Sequence, residues 1–194
     1  MNLFKACLCS TAFIFLITSA VAQTGAHRLG ISAGGGPLDF ASNVGNGFSL
    51  KKGNSWHGAA LVQVSSYLSQ SFDLVFFGSV GDLGSLRLKA VGVSLKYKLA
   101  DGHFLKEEST IKPYIYLGTS FNNVSDRVKL KYVPDGNYMS VNAGLGVRYY
   151  FSERIHIGYN LAFGYFLANH AEFSSRGHSP ELYIHNALMV GIDI

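Results

Sequence analysis

Apolar and polar side chains alternate along most of this chain with a period of two residues. The clearest segment is 139–151, where Met139, Val141, Ala143, Leu145, Val147, Tyr149 and Phe151 interleave with Ser140, Asn142, Gly144, Gly146, Arg148 and Tyr150. The pattern recurs over 155–167 and 182–194. Successive side chains of a strand point to opposite faces, so this alternation indicates strands that lie between two different environments.

The same pattern predicts eight strands, over 28–34, 56–68, 72–80, 86–99, 111–121, 139–151, 155–167 and 182–194. In the fourth strand the apolar phase shifts between Ala90 and Val91, and we expect a β-bulge there. The glycines of 34–36 are followed by Pro37, which predicts the exit from the first strand. No Lys-Ser/Thr follows these glycines, so they are not a phosphate loop.

The connections between these strands are of two kinds. Short turns at 69–71 and 152–153 and a moderate one at 101–110 alternate with connections at 37–55, 81–84, 122–136 and 169–180, three of which are long. Outer-membrane barrels have short turns on the periplasmic side and long loops outside. The sequence therefore predicts an all-β, eight-stranded, antiparallel, up-and-down transmembrane β-barrel with both termini in the periplasm.

The first 22 residues have the organisation of a secretory signal. Lys5 precedes an apolar run, and Ala20-Val21-Ala22 forms a small-residue cleavage site. We expect cleavage after Ala22, so that 1–22 is the signal peptide and 23–194 a single outer-membrane barrel domain. Cys7 and Cys9 would be removed with the signal, which leaves no cysteine for disulfides. No later run of 18 apolar residues could form a spanning helix.

The net charge and the positions of the glycines limit the kinds of function that this protein can have. Without the signal the chain has 15 basic and 12 acidic side chains, a formal charge of +3, which favours contact with anionic headgroups and not nucleic acid. The interior of an eight-stranded barrel has room only for its own side chains. Gly144, Gly146, Gly158 and Gly164 fit such an interior, and aromatic residues near the strand ends match interfacial girdles. The alternative is a secreted lipocalin-like barrel that binds an apolar ligand.

Charged side chains at inward positions cluster toward the periplasmic mouth. We expect a mixed-sign lumen network there, because buried charges are costly unless they are paired. Arg148 is expected to contact Asp73 or Asp193 and to plug the barrel; the alternative is that some of these side chains face interfacial water. The six residues of the predicted network are Arg28, Asp73, Lys96, Arg148, His156 and Asp193.

Several segments resemble the N-terminal barrel of the outer membrane protein A family. They are Phe72-Asp73-Leu74, the stretch 95–102, 106–114 from Lys106 to Pro113-Tyr114, and 143–154 with its Ala-Gly-Leu-Gly strand. The resemblance covers residues 24–194 and implies an eight-stranded barrel, inserted by the outer-membrane assembly machinery, with a structural or narrow-pore role. Family members usually continue into a peptidoglycan-binding domain, whereas this sequence stops at Ile194. We therefore do not extend the family's cell-wall anchoring to this chain. Ile194 replaces the more usual terminal aromatic residue.

Candidate catalytic chemistry is confined to the last long loop. His170, Glu172, His178, Ser179 and Glu181 could suit a lipid A ester hydrolase, and His170 with His178 could bind a metal. Adjacent residues on a strand point to opposite faces, so His178 and Ser179 are poorly placed as partners. We therefore predict a protein that is not an enzyme and has no cofactor or metal.

Basic side chains on the predicted outer side are candidate contacts for lipopolysaccharide phosphates, with an ordinary solvated loop surface as the alternative. These are Lys51, Lys52, Arg127, Lys129, Lys131 and Arg176. The sequence as a whole predicts a monomeric, integral protein of the bacterial outer membrane with a structural or porin-like role. Its predicted partners are outer-membrane lipid, lipopolysaccharide and the barrel assembly machinery.

Overall fold

The computed structural model describes residues 29–40, 58–83, 86–106, 108–126, 136–167 and 182–194. They form β1 (Leu29–Phe40), β2 (Gly58–Tyr67), β3 (Phe72–Leu83), β4 (Leu86–Lys98), β5 (Ile111–Asp126), β6 (Gly136–Tyr150), β7 (Ile155–Phe166) and β8 (Leu182–Asp193). Each strand pairs antiparallel with the next and β1 pairs with β8, which closes the barrel. The predicted eight-stranded antiparallel barrel is confirmed. Within the described ranges no helix is long and apolar enough to cross a membrane.

One end of the barrel, which we call the lower end, holds both termini of the described barrel. The Leu29 N–H donates to the Ile194 carbonyl at 3.2 Å, and the Ile194 N–H donates to the Leu29 carbonyl at 2.7 Å. The connections 68–71, 99–110 and 151–154 lie at this end, close to the turns predicted from the sequence. At the opposite, upper end the described strands stop on either side of residues 41–57, 84–85, 127–135 and 168–181, which lie outside the described ranges.

The predicted strand exit at the glycines of 34–36 is wrong, because β1 continues through them to Phe40. A Cβ atom on Gly34 would collide with the Leu188 backbone of β8, so only glycine allows this close approach of the two strands. Pro37 lies within the strand as well. The β1–β8 register passes from Gly35–Leu188 to Leu38–His185, so Pro37, which has no N–H to donate, forms no rung of this ladder.

Other strands are also longer at the upper end than predicted. β3 continues past Gly81 to Leu83, and β5 continues to Asp126. The predicted loop at 81–84 is therefore a connection of two residues, 84–85. Described inward side chains at this end, such as Leu88 and Val124, belong to a buried apolar cluster. The alternation rule assumed a polar loop here, but the strands continue because they pack against this cluster.

The predicted bulge in β4 is absent. Ala90 and Val91 pair in unbroken register with Ser79 and Gly78 of β3, and the register with β5 is equally continuous. The apolar phase shifts because the lumen changes character along its length. Ala90, like Leu88, points into an apolar upper lumen, whereas Val91 points outward and is 62% exposed.

The outer wall carries a continuous apolar band. The outward rows of β5, from Ile111 to Phe121, and of β6, from Met139 to Tyr149, are dominated by large exposed apolar side chains. Aromatic pairs mark its lower edge: the rings of Phe72 and Tyr97 lie 5.2 Å apart, and those of Tyr149 and Phe151 lie 5.0 Å apart. We refer to this surface as the outer band.

Candidate functional site

The charged side chains predicted to meet in the lower lumen come together there. Asp73 on β3, Lys96 on β4, Arg148 on β6 and His156 on β7 are buried, and Asp193 on β8 is largely buried. Each sits at an inward position near the lower end of its strand, as its phase in the alternation predicted. Arg28, the sixth residue of the predicted network, lies outside the described residues.

Asp73 is the centre of one half of this network. Lys98 Nζ donates a hydrogen bond to Asp73 Oδ1 at 2.9 Å, and Lys96 Nζ lies 3.3 Å from Asp73 Oδ2. The Lys96 side chain is 3% exposed and that of Asp73 is 10% exposed, so water screens this pair little. Each lysine also lies over an aromatic ring, with Lys96 Nζ 5.2 Å from the Tyr114 centroid.

Asp193 is the centre of the other half. Arg148 Nη1 lies 4.0 Å from Asp193 Oδ1, so Asp193 is the carboxylate of the two that lies within ion-pair distance of Arg148. The Tyr150 hydroxyl donates to Asp193 Oδ2 at 2.7 Å. His156 Nδ1 lies 3.9 Å from Asp193 Oδ1, and the His156 ring packs on Tyr150 with centroids 5.0 Å apart.

Sequence reasoning missed three members of the network. Lys98 and Tyr150 each lie two residues after a predicted member, on the same inward face, so the period-two rule could have included them. Tyr114 is harder to find from sequence. Its ring lies beneath both Lys96 and Arg148, at 5.2 and 5.7 Å, and this contact depends on the strand stagger.

Above the charged network, amide and hydroxyl side chains of β5 and β6 form what we call the neutral cluster. Ser120 Oγ and Ser140 Oγ are 2.7 Å apart, Asn122 Nδ2 donates to Ser140 Oγ at 2.9 Å, and Asn142 Nδ2 donates to Ser120 Oγ at 2.9 Å. The Tyr183 hydroxyl of β8 donates to Asn142 Oδ1 at 2.7 Å. These polar groups are buried and bonded to one another, so they fill the lumen without an unpaired charge.

A small cavity of about 30 Å³ lies beside the neutral cluster. Polar side chains on its lining include Gln63, Ser79, Tyr116, Asn160 and His185. His185 Nε2 is buried and has no hydrogen-bond partner among the described residues. This volume holds about two water molecules, which is too little for an organic ligand.

The upper lumen is closed by apolar packing. The rings of Tyr138 and Phe166 lie 6.0 Å apart, and those of Phe166 and Tyr183 lie 5.3 Å apart. The members of this apolar cap are Leu38, Ala59, Leu88, Val124, Tyr138, Phe166 and Tyr183. From the lower to the upper end, the lumen therefore contains a charged network, a neutral cluster with a small cavity, and an apolar cap.

The 99–110 turn at the lower end is organised around Asp101. Its carboxylate accepts hydrogen bonds from the Ser71 hydroxyl at 2.9 Å, the Tyr97 hydroxyl at 3.1 Å and the His103 N–H at 3.0 Å. Burial alone would raise the pKa of Asp101, but these hydrogen bonds outweigh it and lower the pKa from 3.8 to about 2.

Two groups of candidate residues lie outside the described parts of the chain. The first is the possible hydrolase or metal set, His170, Glu172, His178, Ser179 and Glu181. The second is the predicted lipopolysaccharide rim, Lys51, Lys52, Arg127, Lys129, Lys131 and Arg176. Within the described parts, no group of three or more His, Cys, Asp or Glu side chains is placed to hold a metal ion.

Solved structures share this fold. The crystal structure of Neisserial surface protein A matches with a TM-score of 0.63 at 13% identity, covering 88% of this chain and 100% of that chain. Ail, the attachment invasion locus protein of Yersinia pestis, matches with a TM-score of 0.53 at 8% identity, covering 87% and 98%. Both are small eight-stranded outer-membrane barrels.

At these identities the similarity establishes the fold alone. No protein-family model matches the chain, and no curated protein matches it in sequence. The barrel class implied by the outer membrane protein A resemblance agrees with these structures, and membership of that particular family stays a prediction.

Proposed function

We propose that this protein is an integral outer-membrane β-barrel with a structural role and a lumen closed to solutes. The observation that carries the proposal is the combination of an apolar outer wall with a filled, charged interior. The porin-like alternative requires an open path through the lumen, and the lipocalin-like alternative requires a polar exterior around an apolar cavity.

The height of the outer band supports insertion in a bilayer. From Ile111 to Phe121 and from Met139 to Tyr149 the outward rows each span ten residue steps. At roughly 3.4 Å per residue and a tilt of about 40°, that distance gives a band about 25 Å tall. This is the height of the apolar band of outer-membrane barrels. Side chains such as Leu117, 62% exposed, would form an apolar patch far larger than water-soluble monomers carry.

The layered lumen favours a closed barrel and not an open pore. A conducting ion would have to displace Lys96 or Arg148 from buried carboxylates, cross the neutral cluster and part the apolar cap. Each layer is packed or hydrogen-bonded, and the cavity between them is only about 30 Å³. Breaking a buried ion pair costs several kcal/mol, so a steady open state is unfavourable.

Location and orientation are also part of the proposal. The two ends of the described barrel, Leu29 and Ile194, and the short turns are at the lower end, which we assign to the periplasm. The upper connections are then outside the cell. A barrel without open strand edges needs no second copy, so we propose a monomer that contacts outer-membrane lipid and is inserted by the barrel assembly machinery. We propose no catalytic activity, since the hydrolase alternative rests on loop residues outside the described ranges and no observation favours it.

Conductance in a planar bilayer tests the plug. The folded protein, reconstituted in vesicles that are then fused to the bilayer, is expected to show no steady conductance, while a general porin in the same setup conducts. A heat-dependent mobility shift in SDS gels verifies that the sample is folded. Stable single-channel steps from folded protein would overturn the closed lumen and favour the pore.

Cysteine labelling in whole cells tests the orientation. Cys7 and Cys9 lie in the predicted signal, so the mature protein gives no background. Ser125→Cys, at the upper end of β5, should react with a membrane-impermeant maleimide, whereas Glu108→Cys, in the lower turn, should react only after the cells are opened. The reverse pattern would contradict the assignment of the lower end to the periplasm.

A further inference from the structure

A set of polar side chains stands on the outer wall where the outer band ends, on three neighbouring strands. Lys89 of β4, Asn123 of β5 and Asn137 of β6 point outward and are exposed. Each occupies the outward position just above the uppermost apolar side chain of the outer band on its strand. These apolar side chains are Val91 on β4, Phe121 on β5 and Met139 on β6. The three side chains therefore mark the upper edge of the band.

The strand register places these side chains at one level. Lys89 pairs with Asn123, and Asn123 pairs with Asn137. Neighbouring strands are about 4.8 Å apart, so the three positions span about 10 Å along the wall. Asn123 Nδ2 donates to Asn137 Oδ1 at 2.9 Å, which fixes the two amides beside the lysine. We call this set the lysine–amide shelf.

A second cation stands one outward step higher. Arg87 pairs in register with Asp82, and its Nε donates to Asp82 Oδ1 at 3.0 Å. This contact pairs the Asp82 carboxylate and holds the Arg87 guanidinium on the same outward side of the barrel as the shelf. Lys89 therefore stands beside an ion pair and two neutral amides, so the shelf keeps a positive charge that faces away from the lumen.

We propose that the lysine–amide shelf binds the phosphate of a phosphorylated glycolipid in the outer leaflet. The band below the shelf contacts acyl chains, so the shelf meets the headgroup of a lipid whose chains lie along Val91 and Phe121. An ammonium group and amide N–H groups are donors to phosphate oxygens. The inference rests on the proposed function, and it uses none of the loop residues predicted from the sequence to contact lipopolysaccharide.

Native mass spectrometry of the full folded protein in detergent, titrated with bisphosphorylated lipid A, tests the shelf. Lys89→Gln should weaken binding roughly fivefold, the effect of one lysine at a charged membrane surface. Lys106→Gln, which removes the same charge from the lower turn, should leave binding unchanged. Lipid A without phosphates should bind wild type and Lys89→Gln equally, and added salt should weaken only the phosphorylated form.

Three results would overturn the shelf. One is equal affinity of wild type and Lys89→Gln for phosphorylated lipid A; another is an equal loss in Lys106→Gln. The third is displacement of the lipid by millimolar inorganic phosphate, which would show a site for the free anion. The SDS-gel mobility shift of the same samples separates this outcome from failure of the proposed function, because a barrel that inserts normally but ignores the lipid phosphate contradicts the shelf alone.

Discussion

Replacing Asp73 by asparagine tests whether the charged lumen network stabilises the barrel. The substitution keeps the size of the side chain and removes the carboxylate that Lys96 and Lys98 share, at 3.3 and 2.9 Å. Lys96 is 3% exposed and cannot turn its ammonium to bulk water. Asp73→Asn therefore leaves a cation in the lumen without its counter-charge.

The expected loss follows from the geometry. At 3.3 Å and an effective dielectric constant of about 20, the gross attraction between Asp73 and Lys96 is about 5 kcal/mol. The asparagine recovers part of this as a neutral hydrogen-bond acceptor. Removing one partner of a buried pair typically costs about 3–5 kcal/mol, and we expect Asp73→Asn to lower the free energy of unfolding by that amount.

The assay is equilibrium urea unfolding in lipid vesicles, followed by the mobility shift. Asp82→Asn is the matched control, since the same strand carries this second carboxylate, which pairs with Arg87 at 3.0 Å with both side chains more than a third exposed. Solvent screens that pair, so its loss should cost less than about 1 kcal/mol. The double variant Asp73→Asn, Lys96→Met should be more stable than the two single losses predict when added.

The reasoning would be refuted by a loss below about 1 kcal/mol in Asp73→Asn, or by a loss equal to that of Asp82→Asn. Additivity of the Asp73 and Lys96 substitutions within about 0.5 kcal/mol would also refute it, because residues that interact directly should not add. Any of these three results would mean that water reaches Lys96 in the folded barrel.

Other predictions concern glycine, the neutral cluster and the lower turn. Gly164→Ala should lower the free energy of unfolding in urea by about 1–3 kcal/mol, because its Cβ would meet the buried Tyr183 ring. Gly158→Ala should cost less than about 1 kcal/mol, because the nearest atom to its Cβ would be a backbone oxygen at 3.2 Å. Equal losses in the two variants would contradict this packing. Tyr183→Phe, which removes a donor to the neutral cluster, should cost about 0.5–1.5 kcal/mol in the same assay. The pKa of Asp101, about 2, lies below its ordinary value, so its ionised form stabilises the turn above pH 4 and this stabilisation is lost as pH falls from about 4 to 2. The NMR shift of the His103 amide should follow that titration, and a midpoint at pH 4 or above would contradict it.

The sequence was sufficient for the number and order of the strands and for the inward placement of the charges, because both depend on the period of two. The sequence was misleading where the period-two rule assumed that inward side chains are polar along the whole lumen. The apolar cap put Leu88 and Ala90 inside, which produced an apparent phase shift in β4 and a wrong bulge. Gly34 and Pro37 signalled a strand end, but in the barrel the glycine permits close contact with β8, and the proline occupies a position that has no partner in the β1–β8 ladder.

Pairing within the network depends on information that the sequence does not contain. Arg148 could have reached Asp73 or Asp193 from an inward position, and only the stagger of the strands around the barrel places it beside Asp193. The same stagger brings Tyr114 beneath Lys96. The alignment of Lys89 with Asn123 likewise comes from the register between β4 and β5, which no pattern within a single strand could reveal.

The pairing of β1 with β8 joins the first and last strands of the barrel, so the ring cannot close until β8 has been made. A chain that lacks β8 would expose two unpaired strand edges, on β1 and β7, each able to pair with another molecule. Pairing of β8 with β7 and β1 therefore removes both unpaired strand edges at once. It also joins the Leu29 and Ile194 backbones by hydrogen bonds. A circular permutant could therefore be made, in which a short peptide links these two ends and the new termini lie in a lower turn.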